Sequence, residues 1–280
     1  MPESFVSVRF LSKNLVKRKA DSRKGQNGRV LVVGGSHEYF GSPALVALAA
    51  LRTGADLVYL LVPEYIAPTV ASYSPDLIVW GYKGEYLNKR AMDLFSELRE
   101  KTDVMVIGNG ITKKPDVLKV TEKMIREYKK PCVIDADAII AQGYGIKNAV
   151  YTPHVKEFER LAGRALPQEF RARKLSVNLL AEKLSSAVLL KGKIDIATDG
   201  KKTILNKTGN AGMTCGGTGD TLAGVCGALM AQGNSALISA ACAAYINGAA
   251  GDFAYKKFGN SLIASDLINE IANVLKKQNR

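Results

Sequence analysis

The chain has 280 residues, with 39 Lys and Arg against 26 Asp and Glu, for a formal net charge of +13. Its 47% hydrophobic and 23% charged residues are those of an ordinary soluble globular protein and exclude a disordered chain. This length supports a core without disulfide or metal staples, and two histidines in all exclude multi-His metal sites.

In chain order, residues 1–29 come first, with Arg9, Lys13, Lys17, Arg18, Lys19, Arg23, Lys24 and Arg29, and are expected to cross the surface as a basic arm. The start, Met1-Pro2-Glu3-Ser4-Phe5, is followed by no long apolar run and does not read as a signal peptide. Short apolar runs at 30–33, 57–62, 76–80, 104–107, 132–134 and 149–151 predict strands, several of them covered on both faces. Helical patterns at 43–52, 89–101, 115–129 and 157–161 lie between them. That alternation predicts a parallel sheet with helices on both sides. After residue 185 three strands follow directly, at 187–190, 194–198 and 203–206, the last two joined by the hairpin signal Asp199-Gly200. Helices at 221–232, 235–258 and 264–277 close the chain. The expected class is α/β, a mainly parallel sheet with an antiparallel edge, in one domain spanning 1–280.

The most apolar stretches, near 44–51 and 236–250, are too short and too rich in Ala and Gly to span a membrane. Cys132, Cys215, Cys226 and Cys242 have no metal-ligand spacing and read as reduced, buried residues of a cytoplasmic protein. Cys215 stands apart only because of the loop it occupies. No metal ligand is assigned.

The chemistry concentrates in Asn206-Lys-Thr-Gly-Asn-Ala-Gly-Met-Thr-Cys-Gly-Gly-Thr-Gly-Asp220-Thr-Leu-Ala-Gly224, which holds six of the 26 glycines. A glycine turn that opens a helix leaves N–H groups pointing at one spot, where the helix dipole adds positive potential; this suits phosphate. Asp220 is then either a stabiliser of the helix start or a base aimed at a substrate hydroxyl, and position alone leaves both open. There is no G-x-x-x-x-G-K-[ST], no G-x-G-x-x-G after a strand and no G-x-S-x-G, so P-loop, Rossmann and hydrolase readings lose support. A second glycine turn, Gly34-Gly35-Ser36, follows the first strand, and Gly41-Ser42-Pro43 opens the next helix. Other strand ends supply Gly108-Asn109-Gly110, Asp135-Ala-Asp137, Thr152-Pro-His154 and Lys191-Gly192. Asp135 or Asp137 could cap a helix and His154 could be an ordinary loop histidine. All of them nevertheless fall at the carboxyl edge, where open α/β sheets bind ligands.

The string Gly217-Thr-Gly-Asp-Thr-Leu-Ala-Gly224 resembles the signature of ADP-dependent NAD(P)H-hydrate dehydratases, members of the ribokinase superfamily. Supporting matches run through Lys24-Gly25, Gly34-Gly35-Ser36, Ala50-Leu-Arg-Thr-Gly-Ala55, Val133-Ile-Asp-Ala-Asp-Ala138, Thr152-Pro-His154 with Glu157, Leu190-Lys-Gly192 and Thr208-Gly-Asn-Ala-Gly-Met213. The resemblance implies a ribokinase-like three-layer α/β/α fold. It also implies dehydration of (S)-NADHX or (S)-NADPHX, reduced nicotinamide cofactors hydrated at C6, with ADP as phosphoryl donor and Mg2+ on the phosphates. By the same resemblance Asp220 is the base and touches substrate. Ser42, Gly110 and His154 line the hydrated dinucleotide. Lys191, Gly192, Lys193, Ile194, Asp195, Gly216, Gly217, Thr218 and Gly219 hold the adenine nucleotide and its phosphates. Family habit further implies a homotetramer, and a chain this short implies a separate NAD(P)HX epimerase as partner. The chain departs from the family in having Ser42 for alanine, Gly108-Asn109-Gly110 for Gly-Pro-Gly, Val155-Lys156-Glu157 for Pro-Gly-Glu and Cys215 for a small Ala or Thr.

The alternative is another ribokinase-like kinase, for a small vitamin-like alcohol. A nucleic-acid binder is motivated by charge alone, because the aromatics are 7% and scattered and no recognised module is present.

Overall fold

The computed structural model describes residues 4–139, 146 and 148–277. Strand β2 (Arg29–Val33, after a two-residue β1, Ser4–Phe5) shows how the layers arise. Its side chains alternate between two apolar clusters, Val30 and Val32 into one, Leu31 and Val33 into the other, and all four are fully buried. A strand buried on both faces requires cover on both sides. One face is covered by α1 (Val8–Asn14), α2 (Ser42–Arg52), α3 (Ala67–Ser72), α8 (Thr218–Ala231), α9 (Ala236–Phe258) and α10 (Ala264–Lys277). The other is covered by α4 (Ala91–Lys101), α5 (Pro115–Tyr128), α6 (Val155–Ala162) and α7 (Phe170–Leu184). The result is the expected α/β/α arrangement.

The remaining strands are β3 (Leu57–Pro63), β4 (Ile78–Tyr82), β5 (Val104–Ile107), β6 (Cys132–Ile134), β7 (Ala149–Tyr151), β8 (Ala187–Leu190), β9 (Asp195–Thr198) and β10 (Thr203–Asn206). They form one sheet in the order β1-β10-β9-β8-β7-β6-β5-β2-β3-β4. Every neighbouring pair is parallel except β8–β9 and β9–β10, so among the described residues β9 alone runs against the rest. From β2 the chain steps to β3 and β4 on one side, then returns through β5 on the other. The strand order therefore reverses between β2 and β5, the kind of crevice in which open α/β sheets bind ligands.

Several boundaries differ from the sequence expectation. The basic arm is integral to the fold: β1 pairs with β10, Val6 N–H donates to the Leu205 carbonyl at 2.9 Å, and Leu11 is buried. Its charges are partly paired, Arg18 with Asp56 at 2.5 Å and Arg29 with Asp103 at 2.6 Å. Strand β4 starts at Ile78 rather than 76, and α3 and α7 had no counterpart in the sequence reading. Helix α7, Phe-Arg-Ala-Arg-Lys-Leu-Ser-Val-Asn-Leu-Leu-Ala-Glu-Lys-Leu, shows little contrast between its faces, and Ser176 is one of the residues it buries. Its start is fixed by Glu169, whose carboxylate accepts the N–H groups of Arg171 and Ala172. Helix α8 begins at Thr218, three residues before the sequence boundary, which puts Asp220 inside its first turn. Among the described residues no helix is long and apolar enough to cross a membrane.

Candidate active site

The carboxyl ends of β5, β6, β7 and β8 meet the start of α8 in one polar network. Asn109, just past β5, donates from Nδ2 to Asp220 Oδ1 at 2.7 Å and to Asp135 Oδ2 at 2.9 Å. Asp135, just past β6 and 2% exposed, also accepts Thr152 Oγ1 at 2.6 Å and Lys191 Nζ at 3.1 Å on Oδ1. Lys191 follows β8 and lies 3.9 Å from Glu157 Oε2. Burial pulls the Lys191 ammonium down, but Asp135 and then Glu157 outweigh it and hold it above its ordinary value. Lys191 is thus a fixed cation at the centre of the edge.

Asp220 is tuned differently. Burial pushes its carboxyl up to about 6, and the nearby charge of Asp135 adds to the rise; the Asn109 amide, the Ser42 hydroxyl and Lys191 oppose it. A carboxylate with this value is ionised at neutral pH yet more basic than a solvated one, as a general base needs.

The segment before α8 presents backbone N–H groups at the helix start. Gly217, with φ of 92°, turns the chain into the helix, and no side chain caps that end. Left-handed backbone here suits glycine, and an added Cβ would lie 2.6 Å from Leu45. The first backbone bond of α8 runs from Thr221 N–H to the Gly217 carbonyl, so the N–H groups of Thr218, Gly219 and Asp220 precede the helical ladder. The Thr218 hydroxyl donates to the Met213 and Cys215 carbonyls, which ties the loop down and leaves the N–H as the donor Thr218 can offer a ligand.

The structure brings many of the residues singled out in the sequence together. A Cβ built on Gly219 lies 3.6 Å from Lys191 Nζ, and one built on Gly110 lies 3.2 Å from the Ser42 Cβ. Gly192 N–H donates to Asp195 Oδ1 and Asn206 Nδ2 to Asp195 Oδ2, both at 2.9 Å, so Asp195 shapes the turn after β8. Burial pushes that carboxyl up to about 6. Lys193 and Gly216 are exposed, and Ile194 is half-buried. His154 caps α6: its Nδ1 accepts the N–H groups of Lys156 and Glu157, while Glu157 Oε2 accepts the His154 N–H at 2.8 Å. With Nδ1 accepting, the neutral ring carries its proton on Nε2, 3.3 Å from Glu157 Oε1. Asp137 faces Lys113 at 3.6 Å and stands outside the network.

Asn109, present in the sequence reading only as part of the Gly108-Asn109-Gly110 strand end, is the side chain that joins Asp135 to Asp220. The available signal was a polar residue between two glycines at a strand end. Among the described residues no three His, Cys, Asp or Glu side chains gather as a metal cage, and both oxygens of Asp135 already accept hydrogen bonds.

A family model described as NAD(P)H-hydrate dehydratase matches residues 30–273. The ADP-dependent (S)-NAD(P)H-hydrate dehydratase of Cenarchaeum symbiosum is 40% identical over 268 residues, covering 94% of this chain and 93% of that one. The bifunctional NAD(P)H-hydrate repair enzyme of Methanothermobacter thermautotrophicus is 40% identical over 267 residues, 92% of this chain and 51% of that protein. This chain therefore spans about half the length of its bifunctional relatives. The ADP/ATP-dependent NAD(P)H-hydrate dehydratase of Bacillus subtilis, co-crystallised with ATP and Mg2+, superposes with a TM-score of 0.85 over 99% of both chains at 24% identity. The shared fold is also that of ribokinase-like proteins.

Proposed function

This chain belongs to the NAD(P)H-hydrate dehydratase family, and we propose that it uses ADP to dehydrate (S)-NADHX and (S)-NADPHX, regenerating NADH and NADPH with release of AMP and phosphate. The observation that supports the reading most directly is Asp220, a carboxylate raised to about 6 in the first turn of an uncapped helix. Phosphate-accepting N–H groups and a base for a hydroxyl are thereby neighbours.

Hydroxide leaves carbon poorly, so the C6 hydroxyl must first be converted. Its oxygen bonds to the β-phosphorus of ADP as the bond to AMP breaks, and its proton passes to Asp220. The backbone N–H groups of Gly216, Gly217, Thr218 and Gly219 stabilise the transferring phosphoryl group, where catalysis is mainly positioning and electrostatics. The ring nitrogen then expels phosphate from C6, and loss of a C5 proton restores the double bond.

In this reading Ser42, Gly110 and His154 line the dinucleotide, and Lys191, Gly192, Lys193, Ile194 and Asp195 hold the adenine nucleotide. Magnesium, bound together with the nucleotide, would screen the charge of its phosphates. The chain acts as one domain over 1–280, in a cytoplasmic homotetramer, alongside an NAD(P)HX epimerase that converts the other C6 epimer.

The test mixes the protein with ADP, magnesium and hydrated NADH. Recovery of NADH absorbance with equimolar AMP, lost in Asp220→Asn, is the expected result. No recovery, or an Asp220→Asn variant as active as the unaltered chain, overturns the reading. A stable phosphorylated alcohol with no NADH would identify a kinase instead.

A further inference from the structure

Asn109 stands at the switch point, and two carboxylates meet on its side chain. Its main chain is anchored independently, because the Asn109 carbonyl accepts Gly35 N–H at 2.8 Å. One Nδ2 hydrogen goes to Asp220 and the other to Asp135. Its Oδ1 is buried and meets no donor among the described residues. The amide orientation follows, since a flipped amide would set an acceptor against two carboxylates. An orphaned buried acceptor is a cost that a merely space-filling residue would not carry.

We propose that Asn109 is a positioning residue for the dehydration, a two-hydrogen wedge that holds Asp135 and Asp220 at a fixed spacing and keeps Asp220 ionised and aimed at the substrate hydroxyl. The inference rests on the reading of Asp220 as the base. The groups facing Asp220 are Asp135 from β6, Lys191 from β8, the Ser42 hydroxyl from α2 and Asn109 itself from the end of β5. Lys191 is shared with Asp135 and Glu157, so it does not neutralise Asp220 alone. Without the amide, two acids would face each other beside one divided cation, and a proton would settle on Asp220 at higher pH.

Asn109→Leu removes both donors at similar size, and Asn109→Ala does so with less steric risk to folding. The carboxyl carbon of Asp220 is followed by NMR in protein labelled with 13C-aspartate, its signal assigned by its loss in Asp220→Asn. The acid limb of kcat/KM is measured alongside. The expected result is a midpoint near 6 in the unaltered chain that moves up by about one pH unit in both variants, with the acid limb moving equally. That shift is close to a tenfold loss below pH 6. An unmoved midpoint, or a moved midpoint with an unmoved acid limb, overturns the proposal. The base reading fails on a separate result, an active Asp220→Asn, whereas the NMR midpoint reports on Asn109 whatever the activity.

Discussion

Asp220 carries opposite consequences for activity and stability. On its proposed role as the base, replacement of Asp220 by Asn should lower kcat/KM by about 10²–10⁴-fold, read by NADH recovery. Its carboxyl binds a proton more tightly in the folded state, about 6 against an ordinary 3.8. The folded state therefore gains stability from Asp220 at low pH, present in full below about 3.8 and lost as pH rises through about 6. Near neutrality the ionised, mostly enclosed carboxylate costs on the order of 1–2 kcal/mol after discounting for its partial exposure. Asp220→Asn should thus melt higher than the unaltered chain at about pH 7.5, with the gap closing near pH 4. A lower melting temperature at both would contradict this account. The glycine string singles out Asp220 in the sequence, whereas Asn109 stands there only as part of a strand end, because its contact with Asp220 spans 111 residues of chain. His154 shows the reverse: its residue type drew attention, and the geometry first gives it a helix to cap.

At the scale of elements, caps and close contacts decide more than propensity. His154→Ala removes the acceptor for two N–H groups at the start of α6 and should cost about 1 kcal/mol in urea denaturation. His154→Asp should restore most of that, since a carboxylate also caps. A rise in KM shared by both variants would be the sign of a substrate contact. In α8, an alanine normally stabilises a helix interior by about 1 kcal/mol over glycine. Gly224 reverses this, because a Cβ there would lie 2.1 Å from the Val46 carbonyl oxygen of α2. Gly224→Ala should destabilise by roughly 1–3 kcal/mol. Gly227→Ala, whose Cβ would lie 2.4 Å from Cγ2 of the buried Val106 rather than from backbone, should also destabilise but less. The string ending at Gly224 therefore joins a glycine turn at the start of α8 to a helix-packing notch at its end. The glycine density marks the first in the sequence. The notch is not legible there because it depends on which neighbour lies across the contact, and α7 is obscured because exposed Leu175 and Leu179 blur its apolar face.

For the molecule as a whole, the alternation of β and α segments was enough to anticipate a parallel sheet with an antiparallel edge. Two residues, Ser4 and Phe5, were too short a signal to reveal that the sheet extends beyond that edge. Deleting residues 1–15 should uncover the backbone of β10 and raise aggregation, measured by light scattering at constant protein concentration. The +13 charge has a modest role. In the proposed function it would favour the approach of multiply negative nucleotides, while arm residues such as Arg18 and Arg29 form local ion pairs.

The strand order also sets a timetable. The pairs β8–β9 and β9–β10 join neighbouring segments, so little chain entropy is lost in closing them. The β2–β5 pair closes over the intervening β3 and β4, and Asn109 meets Asp220 only with α8 docked over both strands. Contacts this distant in sequence are slow to assemble. Refolding from denaturant should regain its sheet signal before its catalysis, which makes turnover a late and stringent reporter that the whole chain has reached its native order.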